Sequence, residues 1–369
     1  MIAYLRVIER EVFRDGREAC LQDSLRMIGF QCLLSLFFER IMKLIVNIPA
    51  YNEEAKIAET IGRIRKSFES DFYRNGTGRV ITEKLVQVVD DGSSDKTAVR
   101  AKEAGSDLIV SYRPNRRLAY AFRRAVENAL EHGADFMVNI DADGQFEPEE
   151  IPKLLEPVIT GACHMTVGNR FGGIDAKDMP LVRSVLNRFA AFVVGFFLGT
   201  RIGDLTCGFR AHSREALLRL SLANIEFTYT QETIIDAIGK NLKVVWVPIA
   251  VVYHADREPK ITKSVSKFVG NGFKIILRAV RDVKPMKFFG APGISLILLS
   301  LILFIVFLFH YFPELEVKRY SNYLFASAAL FLVGLQLVIF GLIADMIRGN
   351  RQLEDEILYR IRKDRHTKG

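Results

Sequence analysis

Acidic and amide side chains alternate directly after a short apolar run in the segment VNIDADGQFEPEE (138–150). In an extended chain Asp141, Asp143 and Gln145 point to one side, because successive side chains alternate between faces. Carboxylate and amide oxygens are the hard ligands that Mg²⁺ or Mn²⁺ prefers. We therefore expect a divalent-metal site that holds the two phosphates of a nucleotide diphosphate and neutralises charge on a leaving group.

Two other polar segments also follow apolar runs, IPAYNEE (48–54) and VVDDGSSDKT (88–97). A turn followed by a helix cap accounts for the glycine and serines of the second segment, and Ser94 is the predicted cap. It does not account for the adjacent carboxylates of Asp90 and Asp91. Those carboxylates suit hydrogen bonds to a base or a ribose.

The elements that must position these residues alternate between strand and helix from Lys43 to about Val247. Predicted strands cover 43–48, 84–90, 107–112, 135–141, 164–169 and 242–247, with helical stretches at 54–69, 117–131 and 149–160. Such alternation predicts an α/β domain with a mostly parallel sheet and helices on both faces. Ligands of such sheets bind beyond the carboxyl ends of the strands, where the polar segments lie.

The C-terminal third has two long uncharged stretches, 290–312 and 321–344. Each is long enough to cross the hydrocarbon core as a helix, and we predict two transmembrane helices at about 290–312 and 321–347. Buried helices of a soluble core are the alternative, but they rarely stay uncharged over such a length. The short segment 313–320 makes the two spans a hairpin.

Charges around the hairpin predict its orientation. Basic residues crowd both outer flanks, so the positive-inside rule places the large domain and both termini in the cytoplasm. Residues 263–287 alternate apolar and basic faces, which favours a helix lying in the membrane interface over one packed on the domain. Residues 348–369 form a basic tail.

The overall charge limits the classes of binding partner. The net charge of +8 suits an anionic membrane surface, a phosphorylated substrate or nucleic acid. Nucleic acid is disfavoured, since the basic residues lie beside the spans and are not interleaved with aromatic residues. Residues 1–41 are either an amphipathic extension or upstream translation that is not native, and residues 42–262 form the catalytic domain. The oligomeric state is not predicted.

The three polar segments, in this order and spacing, resemble the inverting family 2 glycosyltransferases, which have a GT-A fold. Within that family, the branch of dolichol-phosphate mannose synthase and other polyprenyl-phosphate glycosyltransferases is most similar. The resemblance covers roughly residues 43–285 and includes GNRF (168–171), MPLVRSVLNR (179–188) and DLTCGFRA (204–211). It implies a nucleotide-sugar donor and a polyprenyl or dolichyl phosphate acceptor.

The resemblance also implies roles for individual residues. Residues that would hold the nucleotide are Pro49, Tyr51, Glu53, Asp90 and Asp91. Those that would hold Mg²⁺ or Mn²⁺ are Asp141, Asp143 and Gln145, with Asp141 also serving the nucleotide. The acceptor phosphate would be bound by Arg170, Arg183 and Asn187, and a basic loop near the diphosphate would contain Arg257, Lys263 and Ser264. The sequence departs from the family at Arg117, where many relatives have glycine.

The predicted reaction moves a sugar, from GDP-mannose or a UDP-hexose, onto a lipid phosphate. Asp143, Arg183 and Glu232 are the residues expected to carry the transfer. One alternative is a lipid or glycan hydroxyl acceptor, for which Glu232 is the predicted base. Another is a membrane protein that binds nucleotide-sugar without catalysis.

Overall fold

The computed structural model describes residues 42–172, 181–220, 229–251, 281, 283–314 and 317–367. Four predictions lie outside these residues: the status of 1–41 and the loop residues Arg257, Lys263 and Ser264. Most of the predicted interfacial helix 263–287 also lies outside them. For Arg183 the structure describes the backbone but not the side chain.

A seven-stranded sheet forms the centre of the domain, in the order β3-β2-β1-β4-β6-β5-β7. The strands are β1 (Met42–Ala50), β2 (Ile81–Asp90), β3 (Leu108–Ser111), β4 (Phe136–Asn139), β5 (Met165–Asn169), β6 (Arg210–Ser213) and β7 (Val244–Pro248). Strand β6 runs antiparallel to both of its neighbours, and the other pairs are parallel. The predicted mostly parallel α/β sheet is confirmed, and β6 is the strand that the sequence did not predict.

Helices follow most strands. They are α1 (Ile57–Ser67), α2 (Asp71–Arg74), α3 (Thr97–Glu103), α4 (Arg117–Glu131), α5 (Ile151–Ile159), α6 (Leu181–Leu198), α7 (Arg214–Arg219) and α8 (Tyr229–Gly239). Short 3₁₀ turns cover Thr77–Val80 and Pro148–Glu150. The three predicted helical stretches correspond to α1, α4 and α5, with α1 and α5 shorter than predicted.

The central strands are buried on both faces, which is why β1 has an apolar run and not an alternating pattern. Its one polar interior residue, Asn47, belongs to a buried amide chain that crosses the sheet. Gln87 Nε2 donates to Asn47 Oδ1 at 2.9 Å, and Asn47 Nδ2 donates to Asn139 Oδ1 at 2.7 Å. Asn139 Nδ2 then donates to the Tyr229 hydroxyl at 3.0 Å. The chain fixes the relative register of β2, β1 and β4 and holds the start of α8 on the sheet.

Two further helices, α9 (Ala291–Glu314) and α10 (Val317–Thr367), follow a π-helical turn at Met286–Gly290. By length and composition, both could cross a membrane. They approach closely where Gly293 faces Gly334, since a Cβ on either would lie within 2.8 Å of the other's carbonyl oxygen. Small residues allow such close packing of membrane helices. Helix α10 continues well beyond the predicted span and through most of the predicted tail, 348–369.

Candidate active site

The three polar segments converge because β2, β1 and β4 are neighbours and parallel. Their carboxyl ends therefore meet at one edge of the sheet, as the sequence predicted. The backbone amide of Asp91 donates to the carbonyl of Ala50 at 2.9 Å, which joins the ends of β2 and β1. Lys56 Nζ donates to the carbonyl of Asp143 at 3.1 Å, which joins the segment after β1 to the segment after β4.

Asn52 joins the first two segments, and the sequence did not single it out. Its backbone is in the left-handed region at φ 54°, which asparagine tolerates better than most residues. Its amide donates to Ser93 Oγ at 3.0 Å, and its side-chain oxygen accepts from the amide of Ser94 at 2.9 Å. Glu53 is placed in the same way, since its amide donates to Thr97 Oγ1 at 2.9 Å.

The predicted cap at Ser94 is wrong. Helix α3 begins at Thr97, and it is Asp95 Oδ1 that accepts the amide of Thr97 at 3.0 Å. Ser94 lies three residues before the helix begins, and its amide donates to the side chain of Asn52 instead. The reason is that the turn places the serine against the neighbouring segment, a contact that local spacing does not reveal.

Asp90 and Asp91 are both buried and both accept hydrogen bonds from the backbone. Asp90 Oδ1 accepts from the amide of Ser93 at 3.0 Å, and Asp91 Oδ1 accepts from the amide of Arg116 at 2.8 Å. Burial raises the pKa of Asp91 above its ordinary value. These carboxylates therefore shape the turn as well as being candidates for contact with a nucleotide.

The other nucleotide candidates differ in their surroundings. Pro49 is buried within β1, so its side chain packs in the sheet. Tyr51 is 44% exposed, just beyond the strand end. Near Asp91, Arg117 has φ 71°, a left-handed conformation that favours glycine. Arg117 thus places a bulky residue where the backbone suits glycine.

Asp141 and Asp143 lie beyond β4, as predicted. Burial and, to a smaller extent, the charge of Asp143 raise the pKa of Asp141 to about 7, against the opposing charges of Arg170 and Arg210. Asp143 Oδ1 accepts from the amide of Gln145 at 3.0 Å. Two crowded carboxylates of this kind are stabilised by a cation.

The side chains at this edge of the sheet fit a metal ion that is also bound by the phosphates of a substrate. Among the described residues, no group of three or more His, Cys, Asp or Glu side chains is placed to hold a metal. Mg²⁺ and related ions commonly bind one or two carboxylates together with the phosphates of a substrate. Asp141 and Asp143 match that type of site, and phosphate oxygens would complete it.

Gly208 and Tyr229 complete the wall beside Asp141, and the sequence did not assign either one. A Cβ on Gly208 would lie 2.9 Å from Asp141 Oδ2 and 3.3 Å from the Tyr229 hydroxyl. Only glycine therefore leaves room for the carboxylate in this position. The motif DLTCGFRA contains the signal, but only the fold shows which side chain the glycine faces.

Arg210 is a fully buried cation behind this wall. Its Nε donates to the carbonyl of Cys207 at 2.7 Å, and its Nη2 donates to the carbonyl of Thr230 at 2.6 Å. Nη1 donates to Thr233 Oγ1 at 2.6 Å. Arg210 therefore holds the first turn of α8, the turn that contains Glu232, against the sheet.

Two predicted acceptor-phosphate residues, Arg170 and Asn187, meet at Asp204. Arg170 Nε and Nη2 donate to the Asp204 carboxylate at 2.7 Å and 3.0 Å, and Asn187 Nδ2 donates to it at 3.1 Å. Burial alone would raise the pKa of Asp204, but the hydrogen bonds and charge of Arg170 hold it below its ordinary value. The structure thus gives Arg170 an internal partner, and its contact with an acceptor stays a prediction. The backbone of Arg183 lies one turn before Asn187 on α6.

Comparison with known proteins identifies the family. The model of glycosyl transferase family 2 matches residues 45–220. Polyprenol monophosphomannose synthase of Mycolicibacterium smegmatis is 31% identical over 59% of this chain and 80% of its own length. UDP-N-acetylglucosamine–dolichyl-phosphate N-acetylglucosaminyltransferase of Methanococcus voltae is 29% identical over 63% of this chain and 92% of its own length.

A similar solved structure is glucosyl-3-phosphoglycerate synthase from Mycobacterium tuberculosis in complex with Mn²⁺, uridine diphosphate and glucosyl-3-phosphoglycerate. It is 22% identical, covers 66% of this chain and 80% of its own, and has a TM-score of 0.48. The mostly parallel sheet is of the GT-A type that the sequence predicted. The chain belongs to glycosyl transferase family 2, and it is a glycosyltransferase.

Proposed function

We propose that this chain is a membrane-anchored inverting glycosyltransferase that moves a sugar from a nucleotide-sugar to a polyprenyl or dolichyl phosphate. The donor is GDP-mannose or a UDP-hexose. The observation that carries the proposal is the pair Asp141 and Asp143 at the strand edge, in a chain whose relatives act on such lipid phosphates. The large domain and both termini lie in the cytoplasm, because basic residues flank the outer ends of the hairpin.

The donor binds at the ends of β1, β2 and β4. The nucleoside contacts Tyr51, Glu53 and the turn that contains Asp90 and Asp91. Asp141, Asp143 and Gln145 would hold Mg²⁺ or Mn²⁺, and the metal would supply charge neutralisation for the leaving diphosphate. In support of the metal, Asp141 and Asp143 lie close enough for the charge of Asp143 to raise the pKa of Asp141, and a divalent cation would offset that repulsion.

The acceptor approaches along α6, which has two different faces. Asn187 faces inward to Asp204, whereas the aromatic side chains of Phe189, Phe192 and Phe196 are at least 62% exposed. A row of exposed aromatic side chains on one helix is typical of a contact surface. The end of α6 packs against the turn that precedes the first span, since the ring centres of Phe197 and Phe288 are 6.5 Å apart. A bilayer around the hairpin would therefore also cover this row of side chains and bring lipid headgroups to this end of the site.

The reaction is a single displacement at the anomeric carbon. An acceptor phosphate oxygen forms the new bond to that carbon, and the bond to the diphosphate oxygen breaks with its electron pair leaving on the diphosphate. A lipid phosphate is largely ionised at neutral pH, because its second pKa is about 6. The chain therefore needs cationic side chains such as Arg183 to orient the acceptor, and it needs no strong base.

The hydroxyl-acceptor alternative makes a different demand on the same site. A hydroxyl must lose a proton during attack, and Glu232 in the first turn of α8 would accept it. Glu232→Gln should then reduce transfer by about 100-fold or more. Under the proposed phosphate reaction, Glu232→Gln should cost less than tenfold, and Arg183→Ala should be the more damaging change.

Asp143→Ala tests the metal assignment. We expect transfer to be abolished while the melting temperature of the full chain in detergent changes little, since Asp143 is partly exposed. Asp135→Ala is an unsuitable control, because Asp135 binds the amide of Lys43. Asp71→Ala, on the remote helix α2, is the matched control and should transfer at the normal rate. Full activity of Asp143→Ala would remove the metal assignment.

A further inference from the structure

The last part of α10, residues 348–367, leaves the predicted span and packs on the catalytic domain. At 1.5 Å per residue it reaches about 30 Å beyond the span. Tyr359 is buried, its hydroxyl donates to Glu215 Oε2 at 3.0 Å, and the guanidinium of Arg219 lies 4.1 Å from the centre of its ring. This segment, which we call the C-terminal strut, therefore has a defined docking site on α7.

The strut and α7 bind each other's carboxyl ends. Arg362 Nη1 donates to the carbonyls of Leu218 and Leu220 at 3.3 Å and 2.8 Å, where α7 ends. Arg214, at the start of α7, donates through Nη2 to the carbonyl of His366 at 2.8 Å, where α10 ends. The last carbonyls of a helix lack internal partners, so an arginine at each end satisfies them and complements the helix dipole.

The strut also contacts α8. Lys240 directly follows α8, and its Nζ lies 3.4 Å from Asp355 Oδ1 of the strut. The same Nζ donates to the carbonyl of Arg219 at 2.7 Å. At the other end of α8, Arg210 from β6 holds the carbonyl of Thr230. Since β6 leads directly into α7, the strut, α7 and α8 form one connected set of contacts that reaches the wall of the site.

We propose that the C-terminal strut is a positioning element for the acceptor side of the reaction, with Arg362 as its main contact. By joining the second span to α7 and α8, it fixes the height and tilt of the catalytic domain over the bilayer. A lipid-bound acceptor can reach the site only from the bilayer, so its use depends on that geometry. The nucleotide-sugar arrives from solution, so its binding does not. The inference rests on the proposed lipid-phosphate acceptor.

The test compares Arg362→Ala with Arg360→Ala in the full chain, reconstituted in phosphatidylcholine vesicles that contain polyprenyl phosphate. Arg360 is the matched control, since it lies on the same helix, its side chain is exposed, and its ion pair with Glu356 at 3.1 Å stays within that helix. We expect Arg362→Ala to raise the KM for the acceptor about fivefold or more, with the Kd of the nucleotide-sugar within twofold of wild type. Arg360→Ala should match wild type, and Arg362→Lys should restore part of the loss.

Hydrogen exchange gives a second readout that needs no turnover. Amides of Arg214–Leu220 should exchange faster in Arg362→Ala and at the wild-type rate in Arg360→Ala. Equal acceptor KM in wild type and Arg362→Ala, or a parallel loss of donor affinity, overturns the positioning role. If Arg362→Ala does not fold, Tyr359→Phe removes only the hydrogen bond to Glu215 and should give a smaller shift of the same kind. A wild-type chain that binds donor but labels no lipid contradicts the proposed function instead.

Discussion

Gly208→Ala tests the arrangement of the metal-binding carboxylates. The added Cβ would lie 2.9 Å from Asp141 Oδ2 and 3.2 Å from Oδ1, whereas ordinary contact begins at 3.4 Å. The carboxylate would have to retreat by about half an ångström, because Asn139 Nδ2 holds the carbonyl of Gly208 at 3.2 Å and the close-packed backbone has little room to move. Misplacing a reacting group by about 1 Å can cost about 100-fold in rate, so we expect a loss of about tenfold.

The assay for Gly208→Ala combines Mn²⁺-dependent binding of nucleoside diphosphate, by calorimetry, with sugar transfer. Overpacking of this kind also costs about 1–3 kcal/mol of stability, which thermal melting in detergent measures. Gly62→Ala is the matched control, since no atom lies within 4 Å of its added Cβ and it sits inside helix α1. Transfer and metal-dependent binding within twofold of wild type in Gly208→Ala would refute the placement of Asp141.

Three further changes test separate parts of the structure. Burial lowers the pKa of His212 to about 3, so the neutral form stabilises the fold fully above pH 6.5 and that stability is lost as the pH falls towards 3. Between pH 6.5 and 5 the loss is about 2 kcal/mol, and His212→Leu should abolish this part of the pH dependence of melting. Arg117→Gly should stabilise the fold by about 1 kcal/mol, because φ 71° suits glycine, whereas Arg116→Gly should not. Arg170→Lys should destabilise by about 3 kcal/mol, since a lysine cannot replace the paired contacts with buried Asp204.

Each of these three predictions has a result that would contradict it. Unchanged pH dependence in His212→Leu would mean that the imidazole is not held neutral in the core. A lower melting temperature for Arg117→Gly would mean that contacts of the arginine side chain outweigh the backbone strain. Normal melting of Arg170→Lys with poor acceptor use would favour the acceptor-binding role for Arg170.

The sequence predicts the strands well where their environment is uniform. Buried strands such as β1 and β4 are mostly apolar, with Asn47 and Asn139 as their buried polar residues, so their apolar runs are visible in the sequence. Strand β6 was missed because its residues, Arg210 to Ser213, include a fully buried arginine and a fully buried histidine. Polar residues at such positions are tolerated only where partners from distant elements meet them, and one sequence does not display those partners.

Some residues of the candidate site could be predicted from the sequence, and others could not. Positions directly after strands, such as Asp141 and Asp143, follow from the topology of a parallel sheet. Asn52 and Gly208 do not, because their importance lies in contacts with residues that are far away in sequence. The docked end of α10 was predicted as a tail, since its charged residues resemble a solvated segment until their partners on α7 are known.

The central claim is transfer of sugar to a lipid phosphate. The direct measurement supplies radiolabelled GDP-mannose, UDP-glucose and UDP-N-acetylglucosamine separately to membranes containing the full chain, polyprenyl phosphate and Mn²⁺. The account predicts a labelled lipid that mild acid releases, formed from one donor, absent with Asp143→Ala and absent after chelation of the metal. Labelling of no lipid with any donor, while nucleotide-sugar still binds, would contradict the account and favour a hydroxyl acceptor with Glu232 as the base.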